Sequence, residues 1–508
     1  MIKVYGIINT IYEKIIFIFK RSVMSKVVTT KYGKIKGESR EKSFVWRGLP
    51  YALPPIGERR FKEALPPLKW KGVYDATFFR PACLQMVRFE KQQESEDCLY
   101  LNVYSPSTMG KKPVMIFIHG GAFIAGSGSQ YLYDAKNVCE KGVVVVSINY
   151  RLGAFSMFNF SFIDKEYASN LALKDQLMAI KWVYENIEAF GGDPENITVC
   201  GQSAGAISVI CLLNAPQASK YIKKAIAISP LPDIVNSEKR SIDIAKGFLE
   251  YLEIDEQEFH KMVEMDCETL NEMAREYTKS FERKNGLDLL MPVVDGEFLP
   301  YRPLRGAKEK KAHYPPLVIG LTKNEVDIVF KLKSYKDMAV HELEYLMDEE
   351  SQIRDELIKA YGEDELEKKY PLIGRDWLVG MPSEWYSEFH SKWGDVWVYL
   401  FDYENLFLKL TGLQSAHTLD LIFAFGNFDN LIGRLLFSLT PFRKKAYELG
   451  DRLREDLVEF IKTAKAPWQR YGEDYAVKIY NKDGDKVKKN INDPIRKVWK
   501  KTKIYKNI

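Results

Sequence analysis

Residues 197–211 read ITVCGQSAGAISVIC: a short β-branched run, a Gly-Gln-Ser-Ala-Gly turn and the start of a small apolar helix. The pattern predicts a strand, a sharp turn and a helix, with Ser203 exposed at the top of a sheet as a nucleophile. Gly201 and Gly205 flank the serine because a Cβ at either position would collide with neighbouring backbone in so tight a turn. Since Gly-x-Ser-x-Gly also arises by chance, the surrounding chain has to supply the context.

Apolar runs and a helical repeat surround this turn. Residues 113–118 (PVMIFI) and 143–147 are continuous apolar runs, as strands covered on both faces have. Residues 170–190 then carry apolar side chains at helical spacing, up to a Gly-Gly-Asp-Pro stop just before the turn. This order predicts right-handed crossovers in a largely parallel sheet. Further strand or helix patterns occupy residues 27–38 (an edge hairpin), 99–104, 225–229, 317–320, 395–401 and 443–465 (an amphipathic helix).

The predicted fold class is α/β, with a large, mostly parallel central sheet and helices on both faces. Residues 25–508 are expected to form a single domain, with charged helical insertions near 237–285 and 339–395 as lid or side lobes. Residues 1–24 form an N-terminal extension of undecided status, and translation could equally begin at Met24. The apolar runs of this extension are too short for a membrane span and lack a signal-peptide cleavage site. We expect a cytoplasmic protein, with a peripheral membrane helix as the alternative.

Charge and cysteine content exclude several classes of function. The formal net charge of the chain is +5, and residues 486–508 alone carry nine Lys or Arg and one Asp. The remaining residues therefore have a net charge of about −3, which gives no basis for nucleic-acid binding. We expect this basic tail to be a solvated end, with contact to an anionic membrane surface as the alternative and no integral insertion. The six cysteines contain no Cys-x-x-Cys pair, so no zinc or redox motif is present.

A serine nucleophile needs a base to remove its proton and a carboxylate to orient that base. Three histidines stand late enough in the chain to serve as the base. His341 and His390 are more simply surface residues, whereas His417 lies among small residues just ahead of an apolar run, where a loop enters the core. Glu325 stands just past a predicted strand end and is a candidate acid. Asp327 is the neighbouring alternative, and spacing alone does not decide between them.

Backbone N–H groups would have to stabilise the negative charge that develops on a substrate oxygen. Gly120 and Gly121 follow the strand at 113–118 directly, and their small size lets the backbone approach a tetrahedral intermediate. The N–H group of Ala204, one residue past the serine, would complete such an oxyanion hole.

Together these segments resemble the type-B carboxylesterase family, which includes the cholinesterases, and most of all its compact bacterial para-nitrobenzyl-esterase-like branch. The motifs include RGLPYALPPIGERRF, IFIHGGAF and AFGGDPENITVCGQSAG, and they follow the family's order over roughly residues 27–470. The matching stretches are residues 47–61, 95–104, 116–123, 149–155, 189–205, 291–300, 319–325 and 415–427.

The resemblance implies an α/β-hydrolase fold and a serine carboxylesterase that acts on small-molecule esters through an acyl-enzyme, without metal or organic cofactor. It also implies Glu325 rather than Asp327 as the acid. The implied site consists of Ser203 as nucleophile, Glu325 as acid, His417 as general base, and Gly120, Gly121 and Ala204 as oxyanion-hole donors. Two structural ion pairs are implied as well, Arg47 with Glu96 and Arg151 with Asp175.

The chain departs from the family pattern at three places. Gln202 replaces the usual Glu, which removes a carboxylate beside the nucleophile. Pro230 follows Ser229 where a Gly is usual, so we do not expect Ser229 to support the triad. Cys83 and Cys98 match a disulfide of secreted relatives, and we expect both to be reduced in a cytoplasmic protein.

Two alternatives to the esterase interpretation remain. A lipase or a carbamate or amide hydrolase could use the same site. A non-catalytic binding protein, like the adhesion members of the family, is disfavoured because those members typically lack triad residues that this chain keeps. The sequence predicts neither the acyl and alcohol size preference nor the oligomeric state.

Overall fold

The apolar runs of the sequence form the middle of one large sheet. The computed structural model describes residues 25–88, 90–285, 290–327, 333–362, 366–429, 431–437 and 443–508. Thirteen strands within these ranges pair in the order β1-β2-β3-β5-β7-β6-β8-β9-β12-β13-β14-β15, with β4 beside β2, and β10 and β11 form a separate pair. The strands are β1 (Ser25–Thr30), β2 (Gly33–Ser39), β3 (Phe44–Pro50), β4 (Val73–Asp75), β5 (Tyr100–Ser105), β6 (Lys112–Ile118), β7 (Val144–Ile148), β8 (Gly192–Gln202), β9 (Lys224–Ile228), β10 (Asn236–Ser237), β11 (Val293–Val294), β12 (Leu317–Thr322), β13 (Val396–Phe401), β14 (Val477–Tyr480) and β15 (Lys486–Lys488).

The centre of the sheet is parallel and its two ends are antiparallel. Every neighbouring pair from β7 to β14 is parallel, as the predicted crossovers require. Antiparallel pairing joins β1, β2, β3, β5 and β7 at one end and β14 with β15 at the other. The large, mostly parallel sheet is therefore confirmed, and the hairpin predicted at residues 27–38 is the β1–β2 edge.

Helices cover both faces of this sheet. Alternate side chains of β6 enter different cores: Ile116 and Ile118 pack on one face, and Met115 and Phe117 on the other. The helices are α1 (Lys136–Cys139), α2 (Leu171–Asn186), α3 (Ala204–Leu213), α4 (Glu238–Tyr251), α5 (His260–Glu264), α6 (Cys267–Asn285), α7 (Pro303–Lys308), α8 (Lys333–Glu349), α9 (Arg354–Ala360), α10 (Leu366–Arg375), α11 (Met381–His390), α12 (Leu406–Thr411), α13 (Leu419–Phe425), α14 (Leu431–Phe437), α15 (Arg443–Thr463), α16 (Asp493–Trp499) and α17 (Lys503–Lys506). Helices α2 and α3 pack against the first core, and α13 and α15 against the second.

The two predicted insertions are helical. The first contains α4 to α6 and the second contains α8 to α11. Their assignment as lobes of a single domain at residues 25–508 stays a prediction, and the predicted extension at residues 1–24 lies outside the described residues. No helix in the described part of the chain is long and apolar enough to cross a membrane.

The basic C-terminal segment is only in part the solvated end that its composition predicts. Trp499 of α16 is buried, and its Nε1 donates a hydrogen bond to the Tyr361 hydroxyl at 2.8 Å. The buried Glu350 carboxylate accepts the backbone N–H groups of Lys503 and Ile504. The prediction is wrong for α16 and α17 because their few apolar side chains dock on the second insertion and leave most of their lysines on the outer face. Lys486, Lys488 and Lys489, in and directly after β15, are exposed as predicted.

Candidate active site

Ser203 sits at the sharp turn between β8 and α3 with φ 55° and ψ −121°, a conformation that L-residues rarely adopt. Its backbone N–H is held by the carbonyl of Ile228 at 2.9 Å. A Cβ added to Gly201 would lie 2.1 Å from the Gly205 carbonyl oxygen, and one added to Gly205 would lie 2.1 Å from that of Ile118. The predicted turn is present, and both glycines are required by close backbone contacts.

Glu325 and His417 form a direct contact beside this turn. His417 Nδ1 lies 2.5 Å from Glu325 Oε2, although 92 residues separate the two side chains in the chain. Glu325 follows β12 and is buried, whereas the Asp327 carboxylate accepts a hydrogen bond from Asn324 Nδ2 at 2.7 Å. Of the two acids that spacing left open, Glu325 is the one in contact with His417 among the described residues.

The loops that carry Glu325 and His417 are tied to one another. The backbone N–H of Asn324 donates to the Ser415 carbonyl at 3.1 Å, and Asn324 and Ala416 form a parallel bridge. The buried Ser415 hydroxyl accepts a hydrogen bond from the Tyr403 backbone N–H and donates one to the Tyr403 carbonyl, both at 2.7 Å. These backbone contacts hold the two side chains at hydrogen-bonding distance independently of any ligand.

Ser229 supports Glu325, contrary to the expectation from Pro230. Its hydroxyl donates to Glu325 Oε1 at 2.8 Å, and the Thr322 backbone N–H donates to the same oxygen at 2.5 Å. Pro230 removes only its own N–H and restricts the residue before it. Ser229 has a left-handed φ of 51°, outside the extended region that a following proline favours, and its hydroxyl still reaches the carboxylate.

A cavity of about 1160 Å³ brings the predicted residues together. Ser203, His417, Gln202, Gly120 and Gly121 all line it. The rest of its wall is aromatic and polar, and includes Phe79, Arg80, Glu90, Tyr104, Tyr131, Tyr133 and Asp134. The cavity is large enough for a small organic substrate with its reacting bond at Ser203.

Several backbone N–H groups are available beside this cavity. Those of Gly120, Gly121 and Ala204 donate to no acceptor in the described part of the chain. Ala122 shares this property, also lines the cavity and has a left-handed φ of 53°. The sequence does not single out Ala122, because no local pattern shows that a non-glycine residue takes this conformation. Its strained backbone is of the kind that clusters at functional sites.

Gln202 contacts the imidazole on the side opposite Glu325. Gln202 Nε2 lies 3.2 Å from His417 Nε2, and the described structure has no hydrogen bond between the Ser203 hydroxyl and His417. Burial opposes the charged imidazolium, but Glu325 and the nearby Asp420 outweigh it and raise the pKa of His417 above its ordinary 6.5. The imidazole is thus held between a carboxylate and a carboxamide.

Asp420 is a buried acid that sequence reasoning missed. Burial raises its pKa to about 7, the charge of Glu325 adds to this, and the Tyr399 hydroxyl donates to its Oδ2 at 2.9 Å. Its place three residues after His417, in the first turn of α13, is the signal that could have indicated it. His390, predicted at the surface, is instead buried with Nε2 2.9 Å from the Pro315 carbonyl, whereas His341 is exposed.

One of the two implied ion pairs is present and the other has different partners. Arg151 binds Asp175 through two hydrogen bonds of 2.7 and 2.6 Å, and both side chains are almost fully buried. Arg47 pairs with Glu38 instead of Glu96, because the antiparallel pairing of β2 and β3 brings Glu38 beside it.

Glu96 forms its ion pair with Arg60. Its two carboxylate oxygens each lie 2.6 Å from the guanidinium group of Arg60. Arg60 lies in the same matched stretch as Arg47, so the expectation identified the right segment and the wrong residue.

Cys83 and Cys98 lie side by side in the core. Both thiols are free and buried, and burial together with the neighbouring Cys83 thiol raises the pKa of Cys98 well above its ordinary value. Their oxidation state in the cell stays a prediction. No group of three or more His, Cys, Asp or Glu side chains in the described ranges is arranged to hold a metal ion.

Comparisons with known proteins identify relatives along almost the whole chain. The model of the Carboxylesterase family matches residues 24–498. A para-nitrobenzyl esterase of Bacillus subtilis is 36% identical over 470 residues, which cover 88% of this chain and 93% of the relative.

Solved structures of esterases also match this chain. A PNB esterase structure superimposes with a TM-score of 0.83 at 32% identity, covering 94% of this chain and 100% of that one. A carboxylesterase of Geobacillus stearothermophilus has a TM-score of 0.83 at 31% identity, covering 93% and 99%. The fold is therefore that of the α/β-hydrolases, and the chain belongs to the carboxylesterase family and is a serine carboxylic-ester hydrolase.

Proposed function

We propose that Ser203, His417 and Glu325 carry out this hydrolysis through an acyl-enzyme. The Ser203 hydroxyl oxygen attacks the ester carbonyl carbon while His417 Nε2 takes the hydroxyl proton. The tetrahedral intermediate collapses, the bond to the alcohol oxygen breaks, and His417 gives its proton to the departing alkoxide. Water then attacks the acyl-enzyme with the same base, which releases the carboxylic acid and restores Ser203.

The contact of 2.5 Å between Glu325 Oε2 and His417 Nδ1 is the observation that carries this proposal. A carboxylate at Nδ1 keeps the proton on that nitrogen, so the lone pair of Nε2 faces the cavity and can act as the base. Glu325 remains an acceptor because Ser229 and the Thr322 backbone both donate to its other oxygen. The carboxylate also stabilises the imidazolium that forms during each attack.

We assign the oxyanion hole to the backbone N–H groups of Gly120, Gly121 and Ala204, with Ala122 as a further donor. These groups line or adjoin the cavity and have no acceptor among the described residues, so they are free to bind a developing oxyanion. Because backbone donors are fixed before the substrate arrives, they need no reorganisation when the negative charge forms.

Hydrolysis of para-nitrophenyl acetate and butyrate by wild type and Ser203→Ala tests the nucleophile. We expect the variant to lose activity by roughly three to six orders of magnitude, as removal of a serine nucleophile does. Ser208→Ala is the matched control, because Ser208 is buried in α3 and, within the residues that the structure describes, its hydroxyl donates to the Ala204 carbonyl alone. Equal rates for wild type and Ser203→Ala would refute the assignment.

We also propose that the protein works in the cytoplasm. Two adjacent buried thiols, Cys83 and Cys98, are compatible with a reducing compartment, since an oxidising one favours their disulfide. Alkylation of protein taken directly from the native cells, followed by mass spectrometry, should find both cysteines as free thiols. A disulfide between them would argue for an oxidising location.

A further inference from the structure

His417 Nε2, the nitrogen that must take the Ser203 proton, already has a hydrogen-bond partner. In the neutral imidazole only one nitrogen carries a proton, and the Glu325 carboxylate at Nδ1 places it there. Nε2 is then an acceptor with a single lone pair. The group that faces it at 3.2 Å is the carboxamide nitrogen of Gln202, which is a donor.

The opposite orientation of the carboxamide does not fit the neutral base. If Oε1 of Gln202 faced Nε2, that nitrogen would need a proton, and an unprotonated Nδ1 would then face the Glu325 carboxylate. The observed orientation also places Gln202 Oε1 against Gly120, where an added Cβ would lie 2.6 Å from it. The carboxamide therefore donates its N–H to the lone pair that the Ser203 hydroxyl must use.

We propose that Gln202 is a positioning residue that holds His417 Nε2 in the resting enzyme and competes with the Ser203 hydroxyl for its lone pair. Formation of the Ser203–His417 hydrogen bond then requires Gln202 to give up its own. This inference rests on the proposed roles of Ser203 and His417. It accounts for the absence of a hydrogen bond between these two side chains in the described structure, although both line the same cavity.

The charged groups that act on His417 come from two elements. Glu325 approaches from the loop after β12, and Asp420 lies in α13. Both favour the imidazolium, whereas an N–H donor at Nε2 favours the neutral base. Gln202 is thus the uncharged partner in a site with two acids. A glutamate in its place, as is usual in the family, would add a third group that favours the charged imidazole.

Reaction with para-nitrophenyl diethyl phosphate measures the attack of Ser203 directly. In this step Ser203 Oγ bonds to phosphorus, para-nitrophenolate leaves, and His417 takes the hydroxyl proton. We expect Gln202→Met, which keeps the side-chain length without the donor, to be phosphorylated roughly 2- to 10-fold faster at pH 8.5, the effect of removing one competing neutral hydrogen bond. Gln130→Met is the matched control, since Gln130 lines the cavity but is not a partner of His417.

The pH profile of Gln202→Glu gives a second and independent measurement. A carboxylate at Nε2 stabilises the imidazolium, so we expect the acid limb of kcat/KM to move up by about 1 pH unit. The same charge added at a distance, in Gln130→Glu, should move it by less than half as much. We do not expect Gln202→Asn to have the wild-type midpoint of the acid limb, because its shorter side chain does not reach Nε2.

The proposal is overturned if Gln202→Met has the wild-type melting temperature and is phosphorylated at the wild-type rate or more slowly. If Gln202→Met does not fold, Gln202→Glu decides, and an acid limb no higher than that of Gln130→Glu overturns it. Failure of the proposed function is distinguishable from this result, because Ser203→Ala would then keep its esterase activity, irrespective of the outcome for the Gln202 variants.

Discussion

At the scale of single residues, the site depends on which atoms each acid contacts. Glu325 is buried with three donors around it, from Ser229, Thr322 and His417. The Asp327 carboxylate, two residues further on, accepts a hydrogen bond from Asn324 and none from His417 within the described residues. The two carboxylates are alike in sequence spacing and differ completely in their surroundings.

Glu325→Gln should therefore lower kcat by about three to four orders of magnitude, because an amide no longer holds the proton of His417 on Nδ1. Asp327→Asn, the matched control, should keep most of its kcat. Steady-state kinetics with para-nitrophenyl butyrate measures both. Comparable losses in the two variants would contradict the assignment of the acid.

The pH dependence of hydrolysis follows from the charges around His417. Because its pKa is raised above 6.5 and only the neutral imidazole is a base, kcat/KM should fall as pH drops through a midpoint above 6.5. Asp420→Asn removes an acid whose carboxylate form raises this pKa, so the midpoint should move to lower pH. A pH–rate profile that is the same with and without Asp420 would exclude its influence.

At the scale of elements, the strand–turn–helix unit around Ser203 depends on contacts with no room for a side chain. Gly201 is the last residue but one of β8, and a Cβ there would meet the Gly205 carbonyl. Gly205 is the second residue of α3, and a Cβ there would meet the Ile118 carbonyl at the end of β6. The backbone angles of Ser203 are therefore held by packing on both sides. This explains why the turn keeps its strained conformation without a ligand.

Gly201→Ala tests this packing, since its Cβ would lie 2.1 Å from a backbone oxygen that side-chain movement cannot relieve. We expect the free energy of unfolding to fall by about 3 kcal/mol, the upper part of the range for overpacking. Gly472→Ala is the control, because nothing lies within 4 Å of its added Cβ. Urea denaturation compares the two, and equal midpoints would show that the turn tolerates a methyl group.

At the scale of the whole molecule, the C-terminal segment joins parts that are distant in the chain. Trp499 donates to Tyr361, whose hydroxyl donates to the Asp376 carboxylate at 2.8 Å. Asp376 pairs in turn with Arg375. Burial by itself lowers the pKa of the Arg375 guanidinium, but the Asp376 carboxylate outweighs it and raises that pKa above its ordinary value. The basic segment thus stabilises the second insertion through a buried aromatic side chain and a hydrogen-bond chain.

Trp499→Ala should lower the free energy of unfolding by about 3–5 kcal/mol, as loss of a fully buried tryptophan does. Lys497→Ala, on the exposed face of the same helix, should change it by less than about 0.5 kcal/mol. Chemical denaturation of the full chain measures both variants. A Trp499→Ala protein as stable as wild type would show that the segment is dispensable for folding.

The sequence by itself determined that the core sheet is largely parallel, and it located the turn at Ser203 and the loops that carry Gly120, Glu325 and His417. These features are readable because apolar periodicity, helix stops and the glycine requirement of a strained turn are local properties of the chain.

Only the tertiary structure decided which partners meet. It placed Glu38 beside Arg47, aimed Ser229 at Glu325 and set Gln202 on the Nε2 atom of His417. It also buried Trp499 within a basic segment. The Ser229, Gln202 and Trp499 contacts each join residues about 100 to 200 positions apart in the chain. For such pairs, strand pairing, loop packing and burial set the distances, and no pattern along the chain encodes them.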